Sequence, residues 1–148
     1  MTQSLENACS EIVTVLRNTG AFGQVPLNPP SMISYSEFAL VYPSNGNVTI
    51  GAVGTREGLN NIAIDILTKN TDLARAINRI IPMIDIVAHA VEFQVSYDSD
   101  DNVGGLFNNT IDTFSRFTYS YIPLTDFGGV PVIGYHCMME DVKIRTNL

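Results

Sequence analysis

The sequence predicts an α+β fold: a single, mostly antiparallel sheet of about 4–6 strands, the usual size for a sheet, packed against two α-helices. Three observations carry this expectation. Asn60 to Leu67 places Ile62, Ile64 and Ile66 on one face, the period of a half-buried strand. Thr71-Asp72 then offers helix-capping chemistry, and Leu73, Ile77, Ile80, Ile81, Ile84, Val87 and Val91 form one apolar stripe. Further β-like segments lie before and after this unit, and 148 residues fit one domain spanning 1–148.

The first element is a helix capped by Ser4 or Thr2, with Leu5, Ala8, Cys9, Ile12, Val15 and Leu16 on one face and a stop at Asn18-Thr19-Gly20. Pro26, Pro29 and Pro30 make Ala21–Ser31 an extended connector, because proline excludes regular helix and central strand alike. Ser34–Tyr42 and Asn47–Val53 read as two strands joined by the turn sequence Pro43-Ser44-Asn45-Gly46. Gly51 to Gly58 reads as a flexible link to the third strand. In the second helix Pro82 removes a hydrogen bond and predicts a kink. The polar edge of that helix, Arg75, Asn78, Arg79, His89 and Glu92, is expected to face solvent or a neighbouring subunit. Phe93–Thr113 shows no clear period, and long unpatterned segments are usually functional or mobile. Phe114–Ile122 alternates as a strand with Phe117, Tyr119 and Tyr121 on one face; Thr125–Gly129 turns the chain. Val130–Met139 and Val142–Thr146 close it as one long strand or two short ones.

Composition narrows the function. Hydrophobic residues make up 45% of the chain, enough for a core, and only 16% are charged, below the usual quarter. A surface poor in charge raises the expectation of a covering partner. The net charge of −7, with scattered basic residues, argues against a nucleic-acid-binding module. Cys9 and Cys137 read as two reduced, buried thiols of a cytosolic protein, and the N-terminus shows no signal-peptide pattern. Two N-glycosylation patterns, at Asn47 and Asn108, are chance matches without a secretory route.

No reaction centre emerges. Asp98-x-Asp100-x-Asn102 begins like a calcium loop, but Val103 stands where glycine is needed and Asn109 where glutamate is needed. His136 and Cys137 are neighbours that would point to opposite faces of a strand, and two histidines leave zinc without a ligand set. Gly51, Gly54 and Gly58 give no phosphate-cradle pattern. Asp65 and Asp85 form no carboxylate pair. The aromatic run Phe117, Tyr119 and Tyr121 lacks interleaved basic residues, which favours a core or subunit contact over a base-stacking face. The expectation is therefore no enzyme, no cofactor and no metal.

The order of elements, the passage Ile62–Val91 and the closing Tyr119-Ser120-Tyr121 … Val142-Lys143-Ile144-Arg145 pattern resemble the tail terminator (tail-completion) proteins of long-tailed, lambda-like bacteriophages. This resemblance spans nearly the whole chain. It implies a structural virion protein, assembled in the host cytoplasm, that forms a hexameric ring capping the tail tube. The implied partners are further copies of the chain, the tail tube protein and the neck or head-completion protein, with DNA sliding through the centre without sequence-specific contacts. By position in the chain, Arg56, Glu57, Asp98, Asp100, Asp101, Asn102 and Phe107 are the candidate assembly-contact loop residues. Arg75, Arg79 and His89 are the candidate subunit-contact edge of the helix. Alternatives are a neck or head–tail joining role, another minor tail protein, or a small α+β enzyme or ligand-binding domain.

Overall fold

A computed structural model describes residues 4–26, 37–47, 49–50, 55–69, 72–99, 111–127 and 129–147. Helix α1 (Ser4–Thr19) buries Ala8, Ile12, Val13, Val15 and Leu16. Its stop is the expected one: Gly20 takes a φ of 70°, which a side chain would strain, and its N–H donates to the Arg17 carbonyl at 3.2 Å. The Arg17 guanidinium then donates to the Val25 carbonyl at 2.9 Å, holding the connector against the helix.

Six strand segments form one antiparallel sheet of four lines. β1 (Glu37–Gly46) and β2 (Thr49–Ile50) both lie beside β3 (Thr55–Thr68). β6 (Val130–Asn147) lies on the other side of β3, and β4 (Ile111–Thr113) and β5 (Arg116–Phe127) both pair with β6. The two helices share one face of this sheet, where Ile62, Ile64 and Ile66 of β3 meet Cys137 and Met139 of β6. Each such aliphatic side chain, fully buried, contributes roughly 1.5–3 kcal/mol.

Three expected boundaries are corrected. Pro43–Gly46 is not a turn between the first two strands; it continues β1 along β3, with a register shift between Pro43 and Asn45. An edge strand tolerates proline because its outward amide has no ladder partner to lose. Within the Gly51–Gly58 link, Thr55–Gly58 is already β3, paired with residues 144–147 of β6. Thr125–Phe127, expected to turn, are the last residues of β5.

α2 (Leu73–Ser99) is longer than its stripe suggests, taking in Phe93–Ser99 from the segment read as irregular. Once nucleated, a helix gains one hydrogen bond for each residue it adds, so it can outrun its apolar pattern. Asp72 caps it, accepting from the Arg75 amide at 3.3 Å. Ala76, Ile80, Met83, Ile84, Val87 and Val91 are buried on the sheet side. Pro82 lies inside the helix on its exposed face.

A line of irregularity crosses all four lines of the sheet. The shift in β1 near Pro43 and Asn45 faces a shift in β3 between Asn60 and Ile62. Opposite it, Asp141 of β6 takes a φ of 54°, and beyond it β4 ends before β5 begins. Polar side chains stitch this line. Asn61 donates to the Asn45 amide oxygen at 2.6 Å and accepts from the Asp141 N–H at 3.0 Å. The Ser115 hydroxyl reaches the Asp141 carboxylate at 2.9 Å. Bulges of this kind bend strands and raise local twist.

Candidate assembly surfaces

The expected helix edge is where the pattern placed it. Arg75, Asn78, Arg79, His89 and Glu92 are all exposed on α2. Arg75 lies 3.9 Å from Asp72, and Arg79 forms an ion pair with Glu37 at the start of β1. Arg56 and Glu57 sit within β3, their backbones opposite Thr146 and Arg145 of β6 and Ile50 and Thr49 of β2. They therefore belong to a paired strand rather than a loop. Asp98 belongs to the last turn of α2, not to a loop. Asp100, Asp101, Asn102 and Phe107 lie outside the described residues.

α2 carries two exposed isoleucines on its outer face. Ile81, counted in the stripe from sequence, is 46% exposed, and Ile86 is 41% exposed. Ile81 stands one residue, about 100° of helix rotation, past the buried Ile80, which turns it away from the sheet. Ile86 lies five residues, about 140° of helix rotation, from Ile81, so the exposed Asp85 and His89 sit on the arc between them and Arg79 flanks Ile86.

A second apolar surface lies along β5. Register places Phe117, Tyr119 and Tyr121 on the helix-facing side, as the alternation predicts. The helices pack on β1, β3, β4 and β6 and leave Tyr119 62% and Tyr121 45% exposed. Both rings meet Tyr135 of β6 edge-on, at centroid distances of 5.9 and 5.8 Å. Leu124, in the irregular part of β5, is 63% exposed.

The opposite face of the sheet holds a polar row. Asp65 of β3 and His136 of β6 are directly paired in the ladder, and Oδ1 of Asp65 and Nδ1 of His136 are hydrogen-bonded at 2.5 Å. Tyr42 of β1 donates to the other oxygen, Oδ2, at 2.8 Å. Burial first, and then the Asp65 hydrogen bond and charge, push the Tyr42 phenol up. Ser120 of β5 is the ladder partner of His136 on its other side. The order Ser–His–Asp invites a catalytic reading, but among the described residues no hydrogen bond joins Ser120 to His136. A nucleophile needs that contact for activation. Cys137 points the other way, into the core, where burial pushes its thiol up to about 12; Cys9 is raised to about 11 for the same reason. Both cysteines are free.

Sequence reading missed the Tyr42–Asp65–His136 row because its members come from three strands. The local signal was a single carboxylate, Asp65, on the alternate face of an isoleucine-rich strand. Among the described residues no cluster of His, Cys, Asp and Glu could hold a metal ion, and no described helix is long and apolar enough to cross a membrane. In comparison with known proteins, the chain matches no family model and no curated relative.

Proposed function

We propose that this chain is a structural subunit of a long-tailed phage particle, the tail terminator, which assembles as a ring on the end of the tail tube. The observation that carries the reading is the outer face of α2, where Ile81 and Ile86 stand exposed amid Arg75, Arg79 and His89. Apolar side chains left exposed among charged ones on a helix face give a partner surface to cover. In a ring each subunit contributes two different patches, so α2 would meet a different surface of its neighbour. The net charge of −7 suits a channel wall past which DNA must slide. The implied neighbours are the tail tube protein on one side and the neck or head-completion protein on the other.

Mass measured by light scattering, alone and with polymerised tail tubes, followed by electron microscopy, tests the proposal. Rings seated on tube ends support it. A chain that ignores tubes but binds the head-side connector belongs to the neck instead, and one that binds neither sinks the virion reading.

A further inference from the structure

The two edges of the sheet are finished differently. Beside β1, Gln24 runs parallel to Phe38, with the Gly23 amide donating to the Glu37 carbonyl at 3.1 Å and the Ala39 amide to the Gln24 carbonyl at 3.0 Å. Further along, Pro43 has no N–H and the register shifts by Asn45. A covering segment, a proline and a bulge are all devices that keep an edge from pairing with another chain. Among the described residues β5 has none of them from Arg116 to Ile122. Over that run it keeps unbroken register with β6, from Arg116 opposite Glu140 to Ile122 opposite Gly134. Alternate residues of such a strand turn their N–H and C=O groups outward, a ready template for another strand.

The side chains on this edge are self-complementary. Phe117-Thr118-Tyr119-Ser120-Tyr121 reads aromatic, hydroxyl, aromatic, hydroxyl, aromatic in either direction, with no charge inside it. An antiparallel match to a second copy, about a two-fold axis at Tyr119, sets Tyr119 against the partner's Tyr119. In the same register Phe117 meets the partner's Tyr121, and Thr118 meets the partner's Ser120. Aromatic pairs and hydroxyl pairs are favourable cross-strand neighbours, and no like charges face each other. The guarded β1 edge offers no comparable match, which leaves β5 of a second copy as the fitting occupant.

We propose that β5 is a self-pairing edge, through which two copies of the chain join along Arg116–Ile122 into one sheet continuous across both. A two-fold contact of this kind does not close a cyclic ring, so the inference stands apart from the terminator reading. It describes the chain free in solution.

Sedimentation over a range of concentrations tests it. The chain is expected to reach twice its 16.2 kDa mass. Tyr119→Lys should hold it at the monomer mass with an unchanged urea midpoint, since Tyr119 is already largely exposed. A register readout comes from cysteine variants and a short bismaleimide, with the wild-type chain as background for Cys9 and Cys137. Tyr119→Cys should cross-link to itself. Tyr121→Cys alone should not, because its own copy lies about 13 Å away along the strand, yet mixed with Phe117→Cys it should. A chain that stays monomeric at every concentration overturns the proposal. So does any oligomer that survives Tyr119→Lys and fails to cross-link at that position. A Tyr119→Lys monomer that still caps tail tubes would uphold both readings and show that their contacts are separate.

Discussion

The sheet has two faces, and they are built on different terms. The helix-covered face is a continuous aliphatic layer in which Ile62, Ile64, Ile66, Cys137 and Met139 are all fully buried. Among the described residues no helix covers the other face, yet Phe38, Leu40, Leu67 and Val132 are also buried there, with Ile122, Phe127 and Val130 packed around them. Phe38 and Phe127 rings stand 5.7 Å apart. Next to this cluster the same face turns polar, with Tyr42, Asp65 and His136 joined side by side. Among the described residues, the helices cover one face, and side chains of the sheet itself pack the other.

The largest test compares the two faces directly. Ile64→Ala on the helix side should cost about 2–5 kcal/mol, and Phe38→Ala on the open side about 3–5 kcal/mol, both read from urea unfolding. If Phe38→Ala costs less than about 1 kcal/mol, the open face is ordinary surface rather than a second core. Gly134→Ala probes how closely the strands approach there. A Cβ at Gly134 would run into the carbonyl oxygen of Ile66, and a backbone atom cannot swing aside. The expected loss is about 1–3 kcal/mol or more, and an unchanged midpoint would contradict that close approach.

These faces were unequally legible. The isoleucines at 62, 64 and 66, the Asp72 cap and the stop at Gly20 announce themselves locally, because strand period and cap chemistry depend on near neighbours. Strand pairing does not. Pro43-Ser44-Asn45-Gly46 has turn composition, yet it lies in β1, because a neighbouring strand decides whether such a sequence turns or extends. The Asp65–His136 contact spans 71 positions and is created by register alone. The stitched line through Asn45, Asn61, Asp141 and Ser115 is equally invisible until four lines of sheet are aligned. Of the candidate contacts, the α2 edge was readable from helical period. Arg56 and Glu57 were misplaced because Gly58 at the start of β3, following Gly51 and Gly54, reads as the end of a link.

The polar half of the open face should matter less to stability than the apolar half. Asp65→Ala removes the acceptor for both Tyr42 and His136. Both partners are part-exposed and can turn to water, so the loss should be about 1 kcal/mol, at the low end for an orphaned hydrogen-bonding group. Asp65→Asn keeps an oxygen for His136 and should cost less than Asp65→Ala. Equal losses from the two would mean that the contacts contribute nothing specific.

The smallest effect separates the faces by pH. On the covered face burial raises the Cys137 thiol from 9.0 to about 12, so the folded chain keeps a proton that the unfolded chain releases above pH 9. The unfolded state then binds fewer protons than the folded one, and stability must fall as pH rises from 9 towards 12. On the open face the Tyr42 phenol, raised above its ordinary 10.0, acts in the same direction but only from pH 10 upward. The Cys9 thiol, raised to about 11, acts the same way, so the test uses a Cys9→Ala background. There urea midpoints at pH 8, 9 and 10 should decline, with the first step of the decline lost on adding Cys137→Ala and unaffected by Tyr42→Phe. A decline between pH 8 and 10 that Cys137→Ala leaves intact would mean that the thiol is not sealed in the core.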